Sequence, residues 1–170
     1  MEIRLLSSSD DRLAVSRVYE ESWRYAYAGI VPQDYLDSIP AGRWAGFVDR
    51  EGIHSLVMLD GDRIAGTLSV CRSRFPEMPE HGEIVSIYLL PQYMGRGLGA
   101  PLLNAAVAEL HRMGFNDIFL WVLEENLRAR RFYEKNGFCF CGRYLDDNIG
   151  GKPLREMMYV HGGTTPPKTE

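Results

Sequence analysis

The sequence predicts a mixed α/β fold in which a central, largely antiparallel sheet is flanked by helices. Three observations carry the prediction. Short β-branched or apolar runs alternate with segments whose apolar residues recur at helical spacing. Two runs flank Asp60-Gly61-Asp62, and two more flank Asp146-Asp147-Asn148-Ile149-Gly150-Gly151, so antiparallel hairpins are expected on either side of the middle. Between them a strand, a glycine-rich loop, an amphipathic helix and a further strand follow in the order of a βαβ unit.

Taken in order, Ile3 to Leu6 reads as a first strand, and Ser7-Ser8-Ser9-Asp10-Asp11 supplies oxygens to cap a helix start. The helix that follows carries Leu13, Val18, Ser22 and Trp23 and ends near Tyr27-Ala28-Gly29. Pro32 opens a short second helix through Tyr35 and Leu36, which Pro40-Ala41-Gly42 breaks before a segment with Trp44 and Phe47. Ser55 to Leu59 and Ile64 to Val70 are the first hairpin, Arg72 to Gly82 is a loop, and Glu83 to Leu90 is a strand. Ala100 to Met113 presents Leu102, Leu103, Ala106, Val107 and Leu110 as one helical stripe, stopped by Gly114. Ile118 to Val122 is the next strand, and Asn126 caps a helix that runs to Asn136 and stops at Gly137. Phe138 to Leu145 and Arg155 to Val160 close the chain as a hairpin across the 146–151 turn.

A chain of 170 residues, 45% hydrophobic and 25% charged, fits a single domain over 1–161 that buries its own core. The tail 162–170, with Pro166 and Pro167, is expected to be disordered. A net charge of −4 argues against non-specific nucleic-acid binding. Cys71, Cys139 and Cys141 are an odd number without zinc spacing, His54, His111 and His161 share no ligand spacing, and no metal is expected. No basic-then-apolar leader and no run of membrane length is present, so a soluble protein with reduced thiols in a cytoplasm is expected.

The chemistry is concentrated between Pro91 and Pro101, where Gln92-Tyr93-Met94-Gly95-Arg96-Gly97-Leu98-Gly99-Ala100 joins a strand to a helix. Free backbone N–H groups and the positive end of a helix converge at such a junction, a natural seat for a phosphate. Glycines at 95, 97 and 99 remove the Cβ atoms that would hold an anion off the backbone. A Walker loop would need Gly-Lys followed by Ser or Thr, and none is present. A dinucleotide fingerprint would need Gly-x-Gly-x-x-Gly, which this spacing does not supply.

Gln92-x-x-Gly95-x-Gly97 after Ile87-Tyr88-Leu89-Leu90-Pro91 resembles the acetyl-CoA signature of the GCN5-related N-acetyltransferases. Asn126, Ala129, Phe132-Tyr133-Glu134-Lys135 and Asn136-Gly137-Phe138 resemble that family's second motif, and Trp23, Tyr27, Ile30-Val31-Pro32 and Leu36 its amino-terminal region. The resemblance covers all but the tail. It implies the family's mixed-sheet fold and transfer of an acetyl group from acetyl-CoA to a primary amine by direct attack in a ternary complex. A small-molecule or peptide amine would be the acceptor, with neither nucleic acid nor membrane as partner, and a homodimer through terminal strands is compatible with it. The alternative is a catalytically weak acyl-CoA sensor or interaction module.

Residue by residue, the resemblance implies that backbone N–H groups of Met94, Gly95, Arg96, Gly97, Leu98, Gly99 and Ala100 hold the CoA pyrophosphate, with Arg96 adding charge. Leu89 and Leu90 would meet the pantetheine arm, and an N–H near them would stabilise the oxyanion. Asn126 would touch the cofactor; a plain helix N-cap is the alternative, and the two roles are compatible. Tyr133 matches the family's general acid, which protonates the departing thiolate; a core aromatic is the alternative. Glu83 stands where some members carry a glutamate that removes the amine proton through water, and a charged strand end is the alternative. His81 is a weaker candidate, and Glu21, Tyr25 and Tyr27 are candidates to line the acceptor pocket.

Overall fold

A computed structural model describes residues 1–162. The described chain runs β1 (Glu2–Leu5), α1 (Arg12–Ala26), α2 (Gln33–Ser38), β2 (His54–Asp60), β3 (Arg63–Arg72), β4 (Gly82–Leu89), a 3₁₀ turn (Pro91–Tyr93), α3 (Gly99–Arg112), β5 (Ile118–Leu123), α4 (Leu127–Lys135), β6 (Cys139–Ile149) and β7 (Lys152–His161). The expected tail lies outside the described residues, apart from Gly162. The strands form one sheet in the order β1-β2-β3-β4-β5-β7-β6. Every neighbouring pair is antiparallel except β4 and β5, the parallel pair that the β4-α3-β5 crossover requires.

Period-two alternation sorts the sheet's two faces. Val57 packs with Val15 and Tyr19 of α1, while Leu56, Met58, Leu68 and Val70 pack with Leu102, Leu103 and Leu110 of α3. Each fully buried leucine of that α3 stripe contributes about 1.5–3 kcal/mol relative to exposure. Helix α1 is anchored by polar bonds as well. Buried Tyr19 shares its hydroxyl with Ser69 (3.0 Å) and Ser86 (2.7 Å), and Ser22 Oγ donates to the Leu89 carbonyl at 2.6 Å.

The closing hairpin differs from expectation. Residues 146–149 belong to β6, and the turn is only Gly150-Gly151. Both glycines have positive φ, 63° and 84°, which makes a two-residue reversal possible. Arg155 pairs with Asp146 across the strands (2.8 Å), so the acidic residues are cross-strand partners and not turn formers. The ladder shifts register between Phe140 and Tyr144, where Gly142 adopts φ 87°.

Candidate active site

The site begins where β4 and β5 part. Their pairing covers only Gly82 with Ile118, Glu83 with Phe119 and Ile84 with Leu120, and from Val85 onward the two strands have no ladder between them. On the other edge β4 stays paired with β3, and the Leu90 N–H donates to the Ala65 carbonyl at 2.9 Å. Antiparallel pairing alternates direction along the strand, so the N–H groups of Ile87 and Leu89 turn into the gap instead. Leu90 is therefore occupied, and the backbone donor expected near these residues narrows to Leu89.

Two cavities flank the gap. One, of about 450 Å³, is bounded by β4, the glycine loop and α4, and contains Leu89, Met94, Gly95, Gly97, Gly99, Ala100, Asn126 and Tyr133. The other, of about 550 Å³, takes in Trp23, Trp44, Arg74, Phe75, Glu83 and Glu156. Tyr27, Ile84, Val85, Ser86, Tyr88 and Trp121 line both. Leu120 and Val122 face the first cavity and Leu123 the second, as strand alternation demands. Leu90, Arg96 and Leu98 do not line the first cavity; the Arg96 guanidinium lies 5.8 Å from the Tyr93 ring centre.

Three glycines serve the loop for two reasons. Gly95 and Gly97 hold φ of 72° and 79° with open space where a Cβ would stand, so backbone conformation demands them. Gly99 has an ordinary φ, but a Cβ there would meet the Phe132 ring at 3.0 Å, so close packing of loop on α4 demands it. Helix α3 begins at Gly99, one residue earlier than expected, and its cap, Leu98, offers no side-chain acceptor. No acidic residue stands in its first turn. Its leading N–H groups therefore lack a side-chain cap, which suits an anion.

Helix α4 is held by Asn126, whose Oδ1 accepts from the Ala129 N–H at 3.1 Å while the residue also borders the first cavity. Capping and cavity lining thus coexist in one side chain. Tyr133 is 9% exposed, its ring packed near Phe132 and Phe138, and its hydroxyl makes no hydrogen bond among the described residues. Burial, reinforced by nearby Tyr88, pushes its pKa well up. Tyr27 is pushed up to about 12 by burial, and Tyr88, which accepts from Trp23 Nε1 at 3.1 Å, is raised as well. Two protonated phenols, Tyr27 and Tyr88, therefore stand where the cavities meet, with Tyr133 on the side of the first cavity.

Glu83 lies in the second cavity but is fully engaged. Arg74 donates to its carboxylate through Nη2 (2.6 Å), Nε (3.1 Å) and its backbone N–H (3.1 Å). These three contacts take up both carboxylate oxygens, so the side chain is fixed in place with no oxygen left for an incoming amine or water. Among the other acceptor-pocket candidates, only Tyr27 reaches a cavity. Glu21 pairs with Arg17 along α1, Tyr25 is 53% exposed beside Arg128, and the ring of His81 packs near Phe119 with both nitrogens buried and unpartnered. Trp23 both packs beside Val31 and Leu36 and lines the second cavity.

Sequence reasoning missed Glu156 and Arg74. Glu156 sits on β7 opposite Leu123, lines the second cavity and has no hydrogen bond or ion pair among the described residues. Burial, then the nearby Asp147 carboxylate, pushes it up to about 7. The only signal in the sequence is one acidic residue leading into the apolar run Met157-Met158-Tyr159-Val160.

A mixed sheet whose single parallel pair opens beside a glycine loop and an uncapped helix defines the acyltransferase class of fold, built around an acyl-CoA site. The chain matches the acetyltransferase (GNAT) family over residues 15–138 and belongs to that family; it is an N-acetyltransferase. It is 32% identical over 155 residues to the uncharacterized N-acetyltransferase YuaI of Bacillus subtilis, covering 87% of this chain and 86% of the relative. It is 29% identical to a spermidine N(1)-acetyltransferase of Thermoplasma acidophilum, covering 94% and 98% of the two chains. The same fold is seen in the crystal structure of PaiA N-acetyltransferase from Thermoplasma acidophilum in complex with coenzyme A, with a TM-score of 0.73, 22% identity, and 96% and 100% coverage. No helix among the described residues is long and apolar enough to cross a membrane.

Proposed function

We propose that the protein transfers the acetyl group of acetyl-CoA to a primary amine by direct attack while both substrates are bound. The observation that carries this reading is the parted β4–β5 pair with a cavity on each side and buried phenols at the border. On the glycine-loop side, backbone N–H groups between Met94 and Ala100 hold the pyrophosphate at the uncapped start of α3. The gap-facing groups of Ile87 and Leu89 hold the amide-bearing arm as a strand would, and the Leu89 N–H stabilises the oxyanion. Asn126 borders the same arm.

Tyr133 keeps its proton at neutral pH and donates it to the sulfur as the thiolate leaves. A thiolate released into buried surroundings is a stronger base than one in water. Burial acts in the same direction on the Cys71 thiol, which it pushes up to about 11. The acceptor comes from the opposite cavity. The spermidine N(1)-acetyltransferase among the relatives supports an amine as the accepting group.

The reading is tested by following thiol release from acetyl-CoA with a panel of amines, alongside direct titration of coenzyme A binding. Amine-dependent release with an acetylated product is expected. Tight coenzyme A binding without any release or product would instead mark an acyl-CoA sensor.

A further inference from the structure

The second cavity carries chemistry that bears on the acceptor, and the inference from it rests on the transferase reading above. Its charged lining comprises the carboxylates Glu83, Asp147 and Glu156 against one cation, Arg74. Because Glu83 occupies Arg74, the other two acids are left without a cation to neutralise them. The walls are aromatic. Trp23 and Trp44 lie 5.4 Å apart on one side, and Phe75 and Trp121 lie 5.7 Å apart on the other. Aromatic faces carry negative potential and attract an ammonium group, while the unpaired acids repel a carboxylate.

Glu156 is placed for more than attraction. It pairs with Leu123, three residues beyond Leu120, where β5 last contacts β4. At about 3.3 Å per residue this sets it roughly 10 Å along the open gap. Directly opposed residues project to the same sheet face, so the Glu156 side chain shares the face of Leu123, on the acceptor side. Glu83 on β4 is immobilised by its ion pair, whereas the Glu156 oxygens keep some accessibility and lack a partner.

We propose that this cavity takes its acceptor as an aliphatic ammonium between the aromatic walls, and that Glu156 takes up the proton that frees the attacking amine. One ammonium proton passes to Glu156 and then to solvent. The nitrogen lone pair forms the C–N bond as the C–S bond breaks, and the sulfur leaves with the bonding pair. The second nitrogen proton replaces the one that Tyr133 gives to sulfur, so the products are amide, thiol and one released proton. Facing Glu156 are Glu83 from β4, Asp147 from β6, Arg74 from the segment after β3 and Tyr27 at the end of α1. Burial and the two acids raise its proton affinity, Arg74 opposes them, and the balance near 7 leaves a base that is partly ionised at neutral pH.

The test measures kcat/KM for thiol release between pH 5.5 and 9.5 with butylamine, 1,4-diaminobutane and 4-aminobutanoate. Both cationic amines are expected to exceed 4-aminobutanoate by about tenfold or more. The profile should rise through a limb near 7. Glu156→Gln should lower the rate at pH 7 by about 10²-fold and abolish that limb, while leaving coenzyme A affinity unchanged. A variant that keeps the limb, whether its rate is unaltered or uniformly lowered, overturns the proton-acceptor role, as does preference for 4-aminobutanoate over the cations. Wild-type protein that binds coenzyme A yet releases no thiol with any amine overturns the transferase reading and the role of Glu156 with it. Turnover that Glu156→Gln leaves untouched overturns the inference alone.

Discussion

Replacing Glu156 by Gln has a consequence for stability that is independent of any substrate. The folded protein holds the Glu156 proton up to about pH 7, against an ordinary value of 4.5. Below pH 4.5 the group is protonated folded or unfolded, and it costs nothing. Between 4.5 and 7 the unfolded chain ionises while the folded chain resists, so stability falls as pH rises, and above 7 the cost is constant. At about 1.36 kcal/mol per pH unit, the upper bound is roughly 3 kcal/mol, and partial solvent contact lowers it to about 1–2 kcal/mol. Gln cannot ionise and nearly matches Glu in shape. Urea unfolding should therefore find Glu156→Gln more stable than wild type by about 1–2 kcal/mol at pH 8 and indistinguishable from it at pH 4.5. A difference that is absent at pH 8, or the same at both pH values, would refute the burial argument.

Tyr133→Phe removes a hydroxyl without a hydrogen-bond partner, so folding and coenzyme A binding should hardly change. Thiol release at saturating substrate should fall by about 10²–10³-fold, as steady-state kinetics would show. Gly97→Ala forces a side chain into φ 79° without any contact within 4 Å, and should cost about 1–2 kcal/mol in unfolding experiments while weakening coenzyme A binding. Gly150→Ala combines φ 63° with a Cβ 2.6 Å from Tyr35 Cβ, so it should cost more than Gly97→Ala, about 2–4 kcal/mol, with coenzyme A affinity preserved. Equal costs for the two glycines would contradict the contact between the closing hairpin and α2.

The proposed donor half of the site was legible because its chemistry is local. A glycine loop between strand and helix is contiguous in sequence, and its anion-binding groups belong to the backbone, so Gln92 to Ala100 announces itself wherever the loop is packed. The Asn126 cap and the Gly137 stop are local for the same reason, and they bring Tyr133 with them. Element limits were less legible where pairing overrode turn chemistry. Asp146, Asp147 and Asn148 favour turns on their own, yet the ladder to Arg155, Leu154 and Pro153 draws them into β6.

By itself, then, the sequence determined the mixed-sheet fold, the glycine loop and the helix that carries Tyr133, because short-range spacing and backbone conformation specify each of them. Only the tertiary structure assembled the cavity proposed for the acceptor. Arg74, in the loop before β4, folds back onto Glu83 nine positions later, while Glu156 reaches the gap from a strand inserted between β5 and β6. Their roles depend on desolvation and on charges from separate elements. Neither quantity exists until the sheet is assembled.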